Sequence, residues 1–318
     1  AIRNTSFLAE ASMTQERVAY VNGEIVPENQ ATVSISDRGF LLGDAVFDTT
    51  RTFGHKIFKL EEHLSRLYDS LRWMRIDPQM TKGEMADLTM DVLERNLPTV
   101  AEHEDIWVTQ RVTRGLRLAG ADIQGAAGRP TVIIECFPIP FQERAHYYRD
   151  GMPIVTPSVR RTPPEAMSPR AKTHNYINLI QADMEARAQN PHAYALLLDM
   201  NGNLCEGNGS NIFVVKDGAI RTPKSQYVLG GISRETTVEL AHELDIEISE
   251  ADIDVFDAYT SDEIFVTSTS LCICPVSTFN GATVGDGATP GPVTDRLQKA
   301  YSGLVDIDII GQYTRWLE

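Results

Sequence analysis

The sequence has 318 residues, 42% of them hydrophobic and 23% charged, which suits one large domain or two ordinary ones built on a substantial core. A net charge of −15 argues against a polyanion-binding surface, and no run approaches the ~18 apolar residues of a membrane span. The first fifteen residues include Arg3, Asn4, Glu10 and Gln15 and no apolar core segment, and Cys136, Cys205, Cys272 and Cys274 lack zinc-ligand spacing; no signal peptide, no metal, reduced buried thiols and a cytoplasmic location are expected.

Residues 1–16 carry little structure-forming pattern. Val18 to Val21, Asn22-Gly23 and Glu24 to Val26 predict a β-hairpin, because Asn-Gly supplies the positive φ angles of a type I′ turn. Turns are expected at Ser36-Asp37-Arg38-Gly39 and at Gly43-Asp44. A strand pair follows over 47–53 and 56–59, with Phe47, Thr49 and Arg51 on one face and Asp48, Thr50 and Thr52 on the other. Leu60, Leu64, Leu67, Leu71 and Met74 fall at helical spacing, and Pro78 ends that segment. Thr81 and Glu84 form a capping box for a second helix that buries Met85, Leu88, Val92 and Leu93. Strands predicted over 105–111 and 130–137 flank a loop holding Gly115, Gly120, Gly125 and Gly128, long for a hairpin. Phe137-Pro138-Ile139-Pro140 reads as a boundary, which divides the chain into 1–138, a linker over 139–150, and 151–318. Beyond it, strands are predicted from 153 and over 194–198, 211–215 and 264–267, helices over 177–188, 234–244 and 293–301, and hairpin turns at Asn201-Gly202 and Asn280-Gly281.

Four stretches carry chemistry. Lys172 follows a Pro/Arg-rich loop and precedes a helix, where the positive end of the helix dipole repels a cation. Alone it reads as a solvated lysine; with a cofactor site nearby it reads as a Schiff-base former. Glu206 sits in a Gly/Ser/Asn-rich turn before an apolar strand, suited to a carboxylate beneath an aromatic nitrogen or simply to an acidic loop. Gly230-Gly231-Ile232-Ser233 enters a helix whose free N–H groups make an anion cup, although many helices begin this way. Thr267-Ser268-Thr269-Ser270 places four hydroxyls at a strand end, and Arg66 lies at the edge of the Leu60/Leu64/Leu67 stripe.

Together these stretches resemble the fold-type IV pyridoxal phosphate enzymes, the branched-chain and D-amino acid aminotransferase superfamily. The landmarks occur in the family's order: Asp37-Arg38-Gly39-Phe40 with Gly43-Asp44, His63-x-x-Arg66-Leu67, Lys172, Glu206-Gly207 with Asn211-Ile212-Phe213, Gly231-Ile232-Ser233-Arg234, and Thr269. The resemblance implies an α+β (mixed α/β) two-domain fold, with a small N-terminal α/β domain and a larger cofactor-binding C-terminal domain built on a β-barrel-like core. It implies pyridoxal 5′-phosphate as cofactor, with Lys172 as Schiff-base lysine and proton carrier and Glu206 at the pyridine nitrogen. Arg66, Gly231, the N–H groups of Ile232 and Ser233, and the Thr269 hydroxyl would surround the phosphate, and Tyr176 would stand near the phenolic oxygen. A homodimer is also implied.

The substrate side departs from several branches. Branched-chain members typically carry an arginine where this chain has Thr109. D-amino acid members carry Arg-x-His after Thr-Arg-Gly, where this chain has Thr113-Arg114-Gly115-Leu116-Arg117-Leu118-Ala119. The remaining resemblance is to the (R)-selective amine transaminases. It implies ping-pong transfer from an (R)-amine or D-configured donor to a keto acid such as pyruvate. Leu42, Phe47, Thr49, Trp107, Thr109 and Ser270 would shape the pocket, and Arg117, or Arg51 as a second candidate, would hold the acceptor carboxylate. A branched-chain or D-amino acid aminotransferase, or a 4-amino-4-deoxychorismate lyase-like enzyme, is the alternative.

Overall fold

The computed structural model describes residues 16–120 and 128–317, so most of the lead-in before Val18, with its signal-peptide expectation, and Gly125 of the glycine-rich loop lie outside the described residues. The chain opens with the expected hairpin, β1 Val18–Val21 and β2 Glu24–Pro27, with Asn22 and Gly23 at φ 51° and 106°. A short helix, α1 Arg38–Leu42, stands where the sequence suggests two separate turns. Asp37 caps it by accepting from the Gly39 N–H at 2.7 Å, and Gly43 closes it at φ 68°. β3 Ala45–Phe53, β4 Lys56–Ile57, α2 Leu60–Met74, α3 Lys82–Asn96, β5 Ile106–Thr113 and β6 Thr131–Pro138 follow. The six strands form an antiparallel sheet in the order β2-β1-β6-β5-β3-β4. α2 and α3 cover one face, where Leu64, Leu67, Met85 and Val92 meet Val46, Val108 and Val112 in one core. Strand alternation therefore turns Phe47, Thr49, Trp107 and Thr109 to the opposite face.

The segment expected to be a linker carries a helix, α4 Phe141–Asp150. Its few apolar residues hide it from periodicity, yet Phe141 and Tyr148 are buried with ring centroids 4.9 and 4.2 Å from that of Tyr313. The elements that follow are β7 Met152–Val155, α5 Ile177–Gln189, β8 Tyr194–Leu198, β9 Leu204–Gly207, β10 Ser210–Lys216, β11 Ala219–Pro223, α6 Ile232–Glu243, β12 Ile248–Ala251, α7 Val255–Tyr259, β13 Glu263–Ser268, β14 Cys272–Phe279, β15 Ala282–Thr283, α8 Pro292–Val305 and α9 Ile309–Thr314. Strands β10-β13-β14-β7-β8-β9 are neighbours in that order, and β9 pairs back onto β10 with Glu206 opposite Asn211, so the sheet closes. This is the barrel-like core of a mixed α/β fold. Phe213, Phe265, Ile212, Val266 and Ile273 are among the side chains that form its core. The four cysteines are free and buried. Among the described residues, no helix is long and apolar enough to cross a membrane.

Candidate active site

Lys172 lies in the loop between β7 and α5, and the first sheet and α2 fix its backbone. Its carbonyl accepts from the Phe47 N–H at 3.0 Å, its N–H donates to Ser70 Oγ at 3.1 Å, and Thr173 bridges Val46. The side chain is half-buried, with Nζ 4.7 Å from the Phe47 ring centroid and 3.5 Å from the Tyr176 hydroxyl. It lines one cavity together with Glu206, Arg66, Ile232, Ser233 and Thr269. Residues from four other parts of the chain are thus brought together around the lysine.

Glu206 is buried on β9 with both oxygens engaged: Arg161 Nε donates to one at 2.8 Å and the Leu229 N–H to the other at 2.9 Å. In the sequence Arg161 is only one arginine of the Pro/Arg-rich loop before Lys172, with nothing to link it to Glu206. It lies 45 residues from its partner.

Gly231 is the N-cap of α6 and offers no side-chain cap, so the first N–H groups of the helix are open to an anion at the cavity wall. A Cβ on Gly231 would fall 2.2 Å from Asn211 Oδ1, and Asn211 is itself anchored to the Leu229 carbonyl at 2.9 Å, so only glycine fits this approach. Arg66 reaches the same cavity. Its Nε and one terminal nitrogen donate to Asp48 at 2.8 and 2.7 Å, and the other terminal nitrogen donates to the Gly230 carbonyl at 2.8 Å. Asp48 also accepts from His63 Nδ1 at 2.7 Å. Burial opposes ionisation of Asp48, but the Arg66 charge and the His63 hydrogen bond outweigh it and hold the carboxyl well below the usual range. Burial lowers the His63 pKa, which keeps the ring neutral and leaves it a donor to Asp48. His63 enters the sequence reading only as a landmark beside Arg66. Asp48 has no role there, because it falls on the strand face turned away from the expected pocket.

A phosphorylated ring suits this set. The Thr267 hydroxyl is buried without a partner among the described residues and lines the same cavity, beside the uncapped helix start. A phosphate there would supply the acceptor that the protein itself leaves out.

On the other side, pairing of β3 with β5 sets Phe47 opposite Arg111, Thr49 opposite Thr109 and Arg51 opposite Trp107. The Thr49 and Thr109 hydroxyls meet at 3.0 Å, and Thr269 donates to the Thr49 carbonyl at 3.2 Å, which ties the barrel to the sheet. Arg111, which no sequence pattern marks, lies 5.2 Å over the Phe47 ring and pairs with Glu135 at 2.7 Å. His174 sits beside Phe47, its pKa pulled down to about 4 by burial and then by Arg111. Arg51 is corrected from a carboxylate binder to a structural residue. It is 1% exposed, its guanidinium bonds the Ser270 carbonyl and Gln312 at 3.1 Å each and Asp105 at 3.5 Å, and it stacks on Phe53. Leu42 ends α1 at 44% exposure, next to Gly43, which closely approaches Asn175 of the lysine loop. Arg117 is exposed and held through its backbone to Ser36 at 2.9 Å.

A family model for class IV amino-transferases matches residues 45–279. A putative branched-chain-amino-acid aminotransferase of Methanocaldococcus jannaschii is 36% identical over 286 residues, covering 90% of this chain and 95% of that protein. The branched-chain-amino-acid aminotransferase of Escherichia coli K12 is 33% identical over 303 residues, covering 92% and 94%. Among solved structures, the Escherichia coli branched-chain enzyme superposes with a TM-score of 0.83 at 30% identity, covering 91% of this chain and 95% of its own. A branched-chain amino acid aminotransferase from T.th., complexed with N-(5′-phosphopyridoxyl)-L-glutamate, gives 0.82 at 27% identity, covering 92% and 95%.

Proposed function

The chain belongs to the class IV aminotransferases, with pyridoxal 5′-phosphate as cofactor, and from that premise we propose that it exchanges an amino group between a donor with an apolar side chain and a 2-keto acid. The observation that carries the substrate half is the Thr49–Thr109 hydroxyl pair at 3.0 Å, flanked by Phe47 and Trp107. The threonine pair carries no charge and its neighbours Phe47 and Trp107 are aromatic, so this part of the face favours an apolar substituent.

The cofactor supplies an electron sink that acidifies the C–H bond beside the transferred nitrogen. Lys172 Nζ would attach the cofactor and, when free, would take and hold the proton lost by the donor carbon. The Phe47 ring and the Tyr176 hydroxyl hold that nitrogen at 4.7 and 3.5 Å. Glu206, anchored by Arg161 and the Leu229 N–H, is the acceptor for a ring N–H. Arg66 and the N-terminus of α6 would hold the phosphate, with Asp48 and His63 fixing the Arg66 guanidinium. Return of the nitrogen to a keto acid at the same residues would give ping-pong kinetics.

Within this class we favour a branched-chain amino acid as donor, because whole-length relatives at 33% and 36% identity carry that name. An (R)-amine or D-configured donor is the second reading, supported by the neutral Thr109. Both enantiomers of 1-phenylethylamine, D-alanine and L-leucine, each paired with pyruvate and 2-oxoglutarate, separate the two. Turnover of L-leucine with 2-oxoglutarate is expected. Turnover confined to (R)-1-phenylethylamine with pyruvate would replace the first reading by the second, and no transfer from any donor would overturn both.

A homodimer is part of the proposal. Ile35, Phe40, Leu41, Leu42, Leu116 and Leu118 leave apolar surface exposed, up to 80% at Ile35, in segments joined by the Asp37–Leu116 bridge next to the lysine loop. Apolar surface gathered in this way marks an interface. Light scattering is expected to give twice the chain mass; an active monomer would contradict it.

A further inference from the structure

A cation would suit the carboxylate of the keto acid, and the guanidiniums near the lysine cavity and the Phe47/Trp107 strand face differ in whether they are paired. Arg66, Arg51, Arg111 and Arg161 are paired with Asp48, Asp105, Glu135 and Glu206. Arg144, on α4, is half-buried, yet among the described residues it has no ion pair. Its guanidinium carbon lies 5.0 Å from the Trp107 ring centroid, and a terminal nitrogen donates to the Ser270 hydroxyl. A half-buried guanidinium without an acid is unfavourable on its own account and becomes favourable when an anion arrives.

The position suits the substrate. Trp107 lies two residues before Thr109 on the same strand face, opposite Arg51 in register. Ser270 follows Thr269, whose hydroxyl binds the Thr49 carbonyl. Arg144 therefore touches Trp107 on the sheet, two residues before Thr109, and Ser270 on the barrel, next to Thr269. Stacking on an indole holds a guanidinium flat and leaves its edge free for a bidentate carboxylate, and the Ser270 hydroxyl adds a donor beside it. Resting on the transaminase reading above, we infer that Arg144 binds the substrate carboxylate, together with the Ser270 hydroxyl and against the Trp107 ring.

The test compares binding of 4-methylpentanoate and of neutral 4-methylpentanamide to the cofactor-loaded protein by calorimetry, together with KM and kcat for 2-oxoglutarate. Arg144→Met is expected to weaken the carboxylate ligand about 10-fold or more, to abolish the preference over the amide, and to raise the keto acid KM more than it lowers kcat. Arg144→Lys is expected to restore part of the preference, and Ser270→Ala to lower it less than Arg144→Met. The visible cofactor band of each variant reports an intact site. A purely packing role against Trp107 would weaken both ligands alike, and an unchanged carboxylate preference in Arg144→Met would overturn the inference. Absence of amino transfer by the unaltered protein would instead overturn the functional reading, since ligand binding is measured independently of turnover.

Discussion

Lys172→Ala is expected to lower amino transfer by about 10³-fold or more, because it removes both the covalent anchor and the proton carrier. The rest of the cavity should survive. The backbone of residue 172 is held by hydrogen bonds to Phe47 and Ser70 that alanine retains, and the phosphate end is built from Arg66 and α6. The variant should therefore still retain cofactor after gel filtration, seen as visible absorbance, but should no longer be fixed to it by borohydride. Full turnover in this variant would remove Lys172 from the mechanism.

The second large effect is on stability. Asp48→Ala leaves the Arg66 guanidinium and the His63 Nδ1–H without their shared acceptor in a buried position, where removal of one member of an ion pair costs about 3–5 kcal/mol. Urea unfolding of the cofactor-free protein at neutral pH measures it, and a loss below ~1 kcal/mol would show that the cluster is solvated. The same cluster sets a pH dependence. The folded pKa of Asp48 is depressed, so its stabilisation is present above the ordinary aspartate range near ~3.9 and is lost as pH falls through the folded value.

The proposed cofactor half of the site is legible through the order of its landmarks, each short enough to be read locally but weak alone. A lysine before a helix, a carboxylate in a glycine-rich turn before an apolar strand, and a Gly-Gly-Ile-Ser helix entrance are each written within a few residues. Their partners are not. Arg161 lies 45 residues from Glu206, and Asp48 faces away from the strand side that carries the pocket, so only the closed barrel and the α2–β3 contact reveal them. Strand alternation puts Arg51 on the face of Phe47 and Thr49. Alternation says nothing about what covers a face, and here Asp105 and Gln312 of α9 plug it. Arg144 escapes for a related reason. The polar run after Pro140 reads as a linker, whereas tertiary contacts of Phe141 and Tyr148 with Tyr313 make it a helix and turn one arginine toward Trp107.

The most direct test of the proposed centre is borohydride reduction of the cofactor-loaded protein, followed by proteolysis and mass spectrometry. The phosphopyridoxyl mass should appear on the peptide carrying Lys172 and on no other. A label on a different lysine, or none in a protein that retains its visible band, would contradict the assignment on which the site is built.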